Sequence, residues 1–130
     1  MDSTNRVTMA AAVFAGGAAG SLLRDALTAS AFLPDLLTST FTVNVLACLS
    51  IGLLAGWRDR LQVHAWHLGA IGFCGGLSTF SSFVADVHAR IVAGDAAGML
   101  FAPAIEIAIG ILVAVVGEAI TRRPTDSLDR

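Results

Sequence analysis

Four long apolar stretches, joined by short charged connections, constrain this chain more than any other feature. They run over 7–23, 36–57, 61–85 and 96–117. The first is 17 residues without a charge, the second 22, the third 25, and the fourth is interrupted only by Glu106. A bilayer core of about 30 Å takes about 20 helical residues to cross. Each stretch can therefore cross once, the first with an extension into 24–27. The predicted fold is an all-α membrane protein of four transmembrane helices, with spans at about 7–27, 36–57, 66–90 and 97–120. These form one transmembrane domain over 1–121, followed by a polar tail at 122–130.

Composition agrees. Hydrophobic residues make up 55% of the 130 residues and charged residues 14%, against about 25% charged in a soluble domain. The eight basic residues are all Arg and the formal net charge is −2. No basic face is available to neutralise phosphates, which argues against nucleic-acid binding. Cys48 and Cys74 lie in apolar stretches, form no metal pattern, and read as buried thiols. Arg6 before an apolar run resembles a signal peptide, but three further spans follow, so a retained first helix is expected. His64 and His67 read as interfacial residues, beside Trp57 and Trp66 where membrane-interface tryptophans are expected. No nucleophile–base pair or catalytic metal set is visible, so no enzyme is expected.

An even number of spans puts both termini on one side. Arg6, Arg58, Arg60, Arg122, Arg123 and Arg130 fall on that side, and Arg24 and Arg90 on the other. The positive-inside rule then places the termini in the cytoplasm.

The third span is not an ordinary helix. Gly72, Gly75, Gly76, Ser78, Thr79, Ser81 and Ser82 crowd into its middle. Glycine costs about 1 kcal/mol per residue in a helix interior. Paired glycines beside hydroxyls permit a mid-membrane break, whose freed carbonyls must find partners in protein, water or an ion. The alternative is a close helix-packing surface. From the residues alone the two are about even.

The segment GFCGGLSTFSSF at 72–83 closely resembles the third-span motif of the Fluc/CrcB fluoride channels. Three further pieces agree in order and spacing: the glycine run 16–20 leading to Arg24, Thr42-Val43-Asn44, and Gly52 with Gly56. The resemblance covers about 13–117. It implies an antiparallel (inverted) dimer with two pores along its interface, passing fluoride passively and selectively across the cell (inner) membrane to relieve fluoride toxicity. It also implies a structural sodium ion at the dimer centre, held by backbone carbonyls of Gly75 and Ser78. The pore phenylalanines would be Phe80 and Phe83, the pore asparagine Asn44, and the vestibule arginine Arg24.

The residue chemistry is compatible with those roles. Phe80 and Phe83, at i and i+3, share a helix face. Their positive ring edges attract an anion without trapping it as a full charge would. Asn44 offers two N–H donors, or else an interhelical hydrogen bond. Among the hydroxyls, Ser81 and Ser82 beside the phenylalanines are the favoured pore donors. Arg24 could concentrate anions in an aqueous mouth or simply snorkel.

Two features depart from the resemblance. Glu106 sits mid-span, where a charge costs at least about 2.5 kcal/mol, and an ionised carboxylate there would oppose fluoride entry. Pro103 precedes it and is expected to bend the helix locally. The Arg asymmetry is also unlike a chain that inserts both ways, which leaves homodimer and heterodimer with a paralogous subunit both open. Two other readings stand beside the channel. One is a non-conducting or fixed-orientation partner subunit. The other is a small multidrug-resistance-type proton-coupled exporter, although that class carries its essential Glu in the first span and none precedes Asp25 here.

Overall fold

The computed structural model describes residues 3–29 and 40–122. The start of the second expected span, 36–39, and the tail 123–130 lie outside the described residues. Among the described residues every element is helical: α1 (Ser3–Thr28), α2 (Thr40–Gly56), a 3-10 turn (Arg58–Arg60), α3 (Val63–Trp66), a π-helical segment (His67–Phe73), α4 (Cys74–Leu77), α5 (Phe80–Val92) and α6 (Ala96–Thr121). Three runs are long and apolar enough to cross a membrane: Ser3–Thr28, Val63–Val92 and Ala96–Thr121. The apolar α2 is shorter, at 17 residues. Large apolar side chains face outward, such as Phe14 at 80% exposure and Ile120 at 68%. That surface suits lipid or a protein partner, not water, and the chain is an all-α membrane protein.

The helices associate as two parallel pairs. α1 lies along the run 63–77, and α2 lies along α6. The first pairing is made through small residues. Gly72 approaches the backbone of Gly16 and Gly17, and a Cβ on Gly76 would collide with the Gly17 carbonyl. In a bilayer no hydrophobic force drives helices together, so close backbone contact is what holds them. Val43, Ala47 and Leu77 form the small buried core where the pairs meet, with Leu27 and Phe73 packed against it.

The ends are tied locally. The Thr8 hydroxyl lies 3.2 Å from the His64 ring, and the Thr121 hydroxyl donates to the Leu53 carbonyl at 2.9 Å. The turn 57–62 joins these two ends, so Arg6, Arg58, Arg60 and Arg122 gather at one end of the molecule. There the Arg58 guanidinium stacks 4.9 Å above the Trp66 ring, a cation–π contact. At the other end Gly94, at φ 72°, terminates α5 in the left-handed conformation glycine tolerates best. Asp95 then caps α6, accepting from the Gly98 N–H at 2.8 Å.

One local feature was not anticipated from sequence. Residues 67–73 are π-helical rather than α-helical, a wide turn often found at functional sites. Pro103 lies inside α6, which runs as one element from Ala96 to Thr121, close to the expected span 97–120.

Candidate functional site

The run that begins at Val63 is interrupted at Ser78 and Thr79, both extended, at φ −70°, ψ 156° and φ −140°, ψ 108°. The interruption changes the run's partner. Before it, the chain packs on α1; after it, α5 packs on α6 and α2.

Breaking a helix frees carbonyls, and their new partners can be followed one by one. In a continuous helix the Thr79 N–H would donate to Gly75. Here it donates to the Asn44 Oδ1 at 2.8 Å. The Gly75 carbonyl is left with the Ser78 hydroxyl at 3.4 Å, and a Cβ at Gly75 would meet nothing within 4 Å. The Gly76 carbonyl accepts from Arg24 Nη1 at 3.1 Å and from the Ser21 hydroxyl at 3.4 Å. The Ser78 carbonyl accepts from Arg24 Nη1 at 3.3 Å. Thr79 opens α5 as its N-cap, its hydroxyl oxygen accepting from the Ser82 N–H at 3.3 Å.

Asn44 therefore grips one peptide residue with both ends of its amide. Its oxygen takes the Thr79 N–H, while Nδ2 lies 3.4 Å from the Thr79 carbonyl. Nδ2 also lies 3.3 Å from Glu106 Oε1 on α6. One side chain thus links α2, the break and α6. Beside it opens a cleft of about 350 Å³, lined by Asn44, Cys48, Ser78, Thr79, Phe80, Phe83, Glu106 and Gly110 among others. The Phe80 and Phe83 rings stack with centroids 6.0 Å apart; Phe80 is 76% exposed and Phe83 half-buried.

Several sequence-derived candidates meet here. Asn44, Phe80 and Phe83 line the same cleft. Ser81 and Ser82 do not figure in its lining, where Ser78 and Thr79 stand instead. The hydroxyls of Ser81 and Ser82 instead approach the Thr79 hydroxyl, at 3.3 and 3.0 Å. Arg24 is half-buried and spends its guanidinium on the break's carbonyls. Cys74 is buried and Cys48 half-buried, both free thiols. Glu106, which sequence reasoning left without a role, is the cleft's acidic group. Its isolation in an apolar run was the signal; its partner, 62 positions away, was not visible.

The arrangement can offer an anion ring edges and amide and hydroxyl donors in a mostly apolar cleft. The comparisons with known proteins point the same way. The family model for the CrcB-like protein, Camphor Resistance (CrcB), matches residues 11–118. The "Fluoride-specific ion channel FluC" of Ruegeria pomeroyi is 50% identical over 113 residues, covering 85% of this chain and 88% of that protein. The protein of the same name from Pseudomonas putida is 37% identical over 122 residues, covering 89% and 98%. That from Ignicoccus hospitalis is 32% identical over 120 residues, covering 85% and 93%. With a family model spanning most of its length and relatives matched almost end to end, this chain belongs to the CrcB family.

Proposed function

We propose that the chain is a subunit of a fluoride-selective passive anion channel in the cell (inner) membrane, exporting fluoride and so relieving its toxicity. The observation that carries this is the 50% identity to a fluoride-specific ion channel across 85% of the chain. The cleft supplies the physical means. Fluoride gives up much of its hydration to enter. It then needs donors strong enough to replace water yet weak enough to let it leave. Neutral N–H and O–H groups with aromatic edges meet that requirement.

In this reading the chain crosses the bilayer four times, α2 with flanking residues supplying the short span. Two subunits insert antiparallel and enclose two pores. The partner is a second copy or a paralogous subunit. A sodium ion at the dimer centre is supported by the donor chemistry of the break. The Gly75 carbonyl has lost its helical donor and keeps only the Ser78 hydroxyl, at 3.4 Å, among the described residues. Unwound backbone carbonyls are the usual membrane ligands for sodium. Gly75 and Ser78 would hold it with their carbonyls, Ser78 sharing its own with Arg24. The ion would supply charge to fix the two subunits together.

The test is fluoride-electrode efflux from liposomes holding the purified protein, alone and with any paralogous subunit. Efflux above protein-free liposomes, with no matching chloride efflux, is expected; its absence in both preparations would overturn the proposal. In the same assay Phe80→Ile removes a ring edge while keeping an apolar side chain. It is expected to slow efflux about tenfold, the equivalent of an aromatic interaction of roughly 1.4 kcal/mol. Unchanged efflux in a stable dimer would remove Phe80 from the pathway.

A further inference from the structure

Asn44 has two amide hydrogens, and both are engaged. Its Oδ1 accepts from the Thr79 N–H at 2.8 Å, which fixes the orientation of the amide. Turned the other way, the NH2 group would face another N–H donor. Nδ2 then lies 3.4 Å from the Thr79 carbonyl and 3.3 Å from Glu106 Oε1. With two hydrogens and two acceptors, no donor is left over for a third group.

Glu106 is the only charged side chain among the cleft's lining residues. The ion pairs of the described residues, Arg90–Asp95 and Arg122–Glu118, do not involve it. Among the described residues its one hydrogen-bonding partner is the Asn44 amide. The carboxylate is thus an acceptor-only anion, seated on the donor that the proposed pathway needs and lining the same cleft as the phenylalanine pair. Chemically it does there what a fluoride ion would do.

Resting on the fluoride reading above, we propose that Glu106 is a tethered competitor for the transported ion. Its carboxylate holds the Asn44 N–H until fluoride displaces it, so carboxylate and fluoride occupy the donor alternately. Like charges at this range repel strongly in a partly dry site, which makes the two states mutually exclusive. Competition from a fixed anion lowers the apparent affinity for fluoride without lowering the limiting rate. The device keeps the donor covered when fluoride is scarce.

The experiment is fluoride efflux from liposomes as a function of internal fluoride concentration, for the wild type, Glu106→Gln and Glu106→Ala. Glu106→Gln keeps the shape and a neutral oxygen; Glu106→Ala removes the acceptor. A hydrogen bond to a charged acceptor corresponds to about a tenfold effect. Below saturation, both variants are therefore expected to release fluoride about tenfold faster than the wild type. Their half-saturating concentration should be about tenfold lower, and the three curves should converge at high fluoride. A purely structural role for Glu106 would leave half-saturation unmoved. Variants that elute at the wild-type dimer volume and conduct no faster than wild type would overturn the proposal. If Glu106→Ala fails to assemble, Glu106→Gln decides alone. If the wild type conducts and the variants do not exceed it, the competitor falls and the channel reading stands. If none of the three moves fluoride at any concentration, both fall.

Discussion

Replacing Asn44 with Asp is expected to cut fluoride efflux at least about 100-fold, the largest functional effect of any single substitution considered. Asp keeps the oxygen that accepts the Thr79 N–H, so the break keeps its main tether. What it loses is both donors. An oxygen would then stand where Nδ2 now lies, 3.4 Å from the Thr79 carbonyl and 3.3 Å from the Glu106 carboxylate. Two full negative charges near 4 Å repel by roughly 4 kcal/mol at an effective dielectric of 20. A tenfold rate change needs only about 1.4 kcal/mol. Even half of that repulsion, added to the loss of the donor, therefore reaches the expected deficit. The measurement is electrode efflux from liposomes, with dimer content checked by size exclusion. Wild-type efflux from an intact Asn44→Asp dimer would exclude the Asn44 amide from the pathway. Combining Asn44→Asp with Glu106→Gln restores an N–H between the two side chains and is expected to recover part of the efflux lost to repulsion.

The second large effect is on stability. Gly76→Val is expected to prevent the subunit from packing, at a cost of about 3 kcal/mol or more. An added Cβ would drive into the Gly17 carbonyl, with the Gly17 Cα 3.0 Å away. The obstacle is backbone, which cannot swing aside, so the cost falls at or beyond the usual 1 to 3 kcal/mol of overpacking. Gly75→Ala is the matched control one residue earlier, where a Cβ meets nothing within 4 Å. Thermal aggregation of detergent-purified protein separates the two. Gly76→Val should lose most of its monodisperse fraction, while Gly75→Ala leaves the packing of α1 on α4 unchanged. Equal melting of Gly76→Val and wild type would show that the helices do not touch here.

These two predictions also mark what the chain's residues disclose and what they do not. The apolar runs were legible because lipid imposes length and polarity on each helix separately. The interruption at Ser78 and Thr79 was only half legible, since glycines and hydroxyls weaken a helix locally but equally suit a close packing surface. Asn44, Phe80 and Phe83 could be picked out by residue type, and all three line one cleft. The π-helical turn at 67–73 left no local trace, since Gly69 and Gly72 fit either helix type. The change of packing partner across the break, from α1 to α6, is a tertiary choice that hydropathy cannot encode. Arg24 illustrates the same limit. An arginine at the end of an apolar run reads as a mouth or a snorkelling residue. Its engagement with the Gly76 and Ser78 carbonyls depends on contacts 52 and 54 positions away. Ser81 and Ser82 were favoured as donors by their adjacency to the phenylalanines; that their hydroxyls lie within 3.3 and 3.0 Å of the Thr79 hydroxyl was not visible in residue types.

The partners of the break also bear on the order in which the protein is made. A lipid-embedded carbonyl without a hydrogen bond costs several kcal/mol, so an interrupted helix is hazardous while it waits for help. Here the helpers are synthesised first. Arg24 precedes Ser78 by 54 positions and Asn44 precedes Thr79 by 35. Chains are made from the N-terminus onward, so α1 and α2 are synthesised before the break. The fragile segment follows its donors and acceptors along the chain. Glu106 belongs to the last helix, so its carboxylate is synthesised after both Asn44 and the break it tethers.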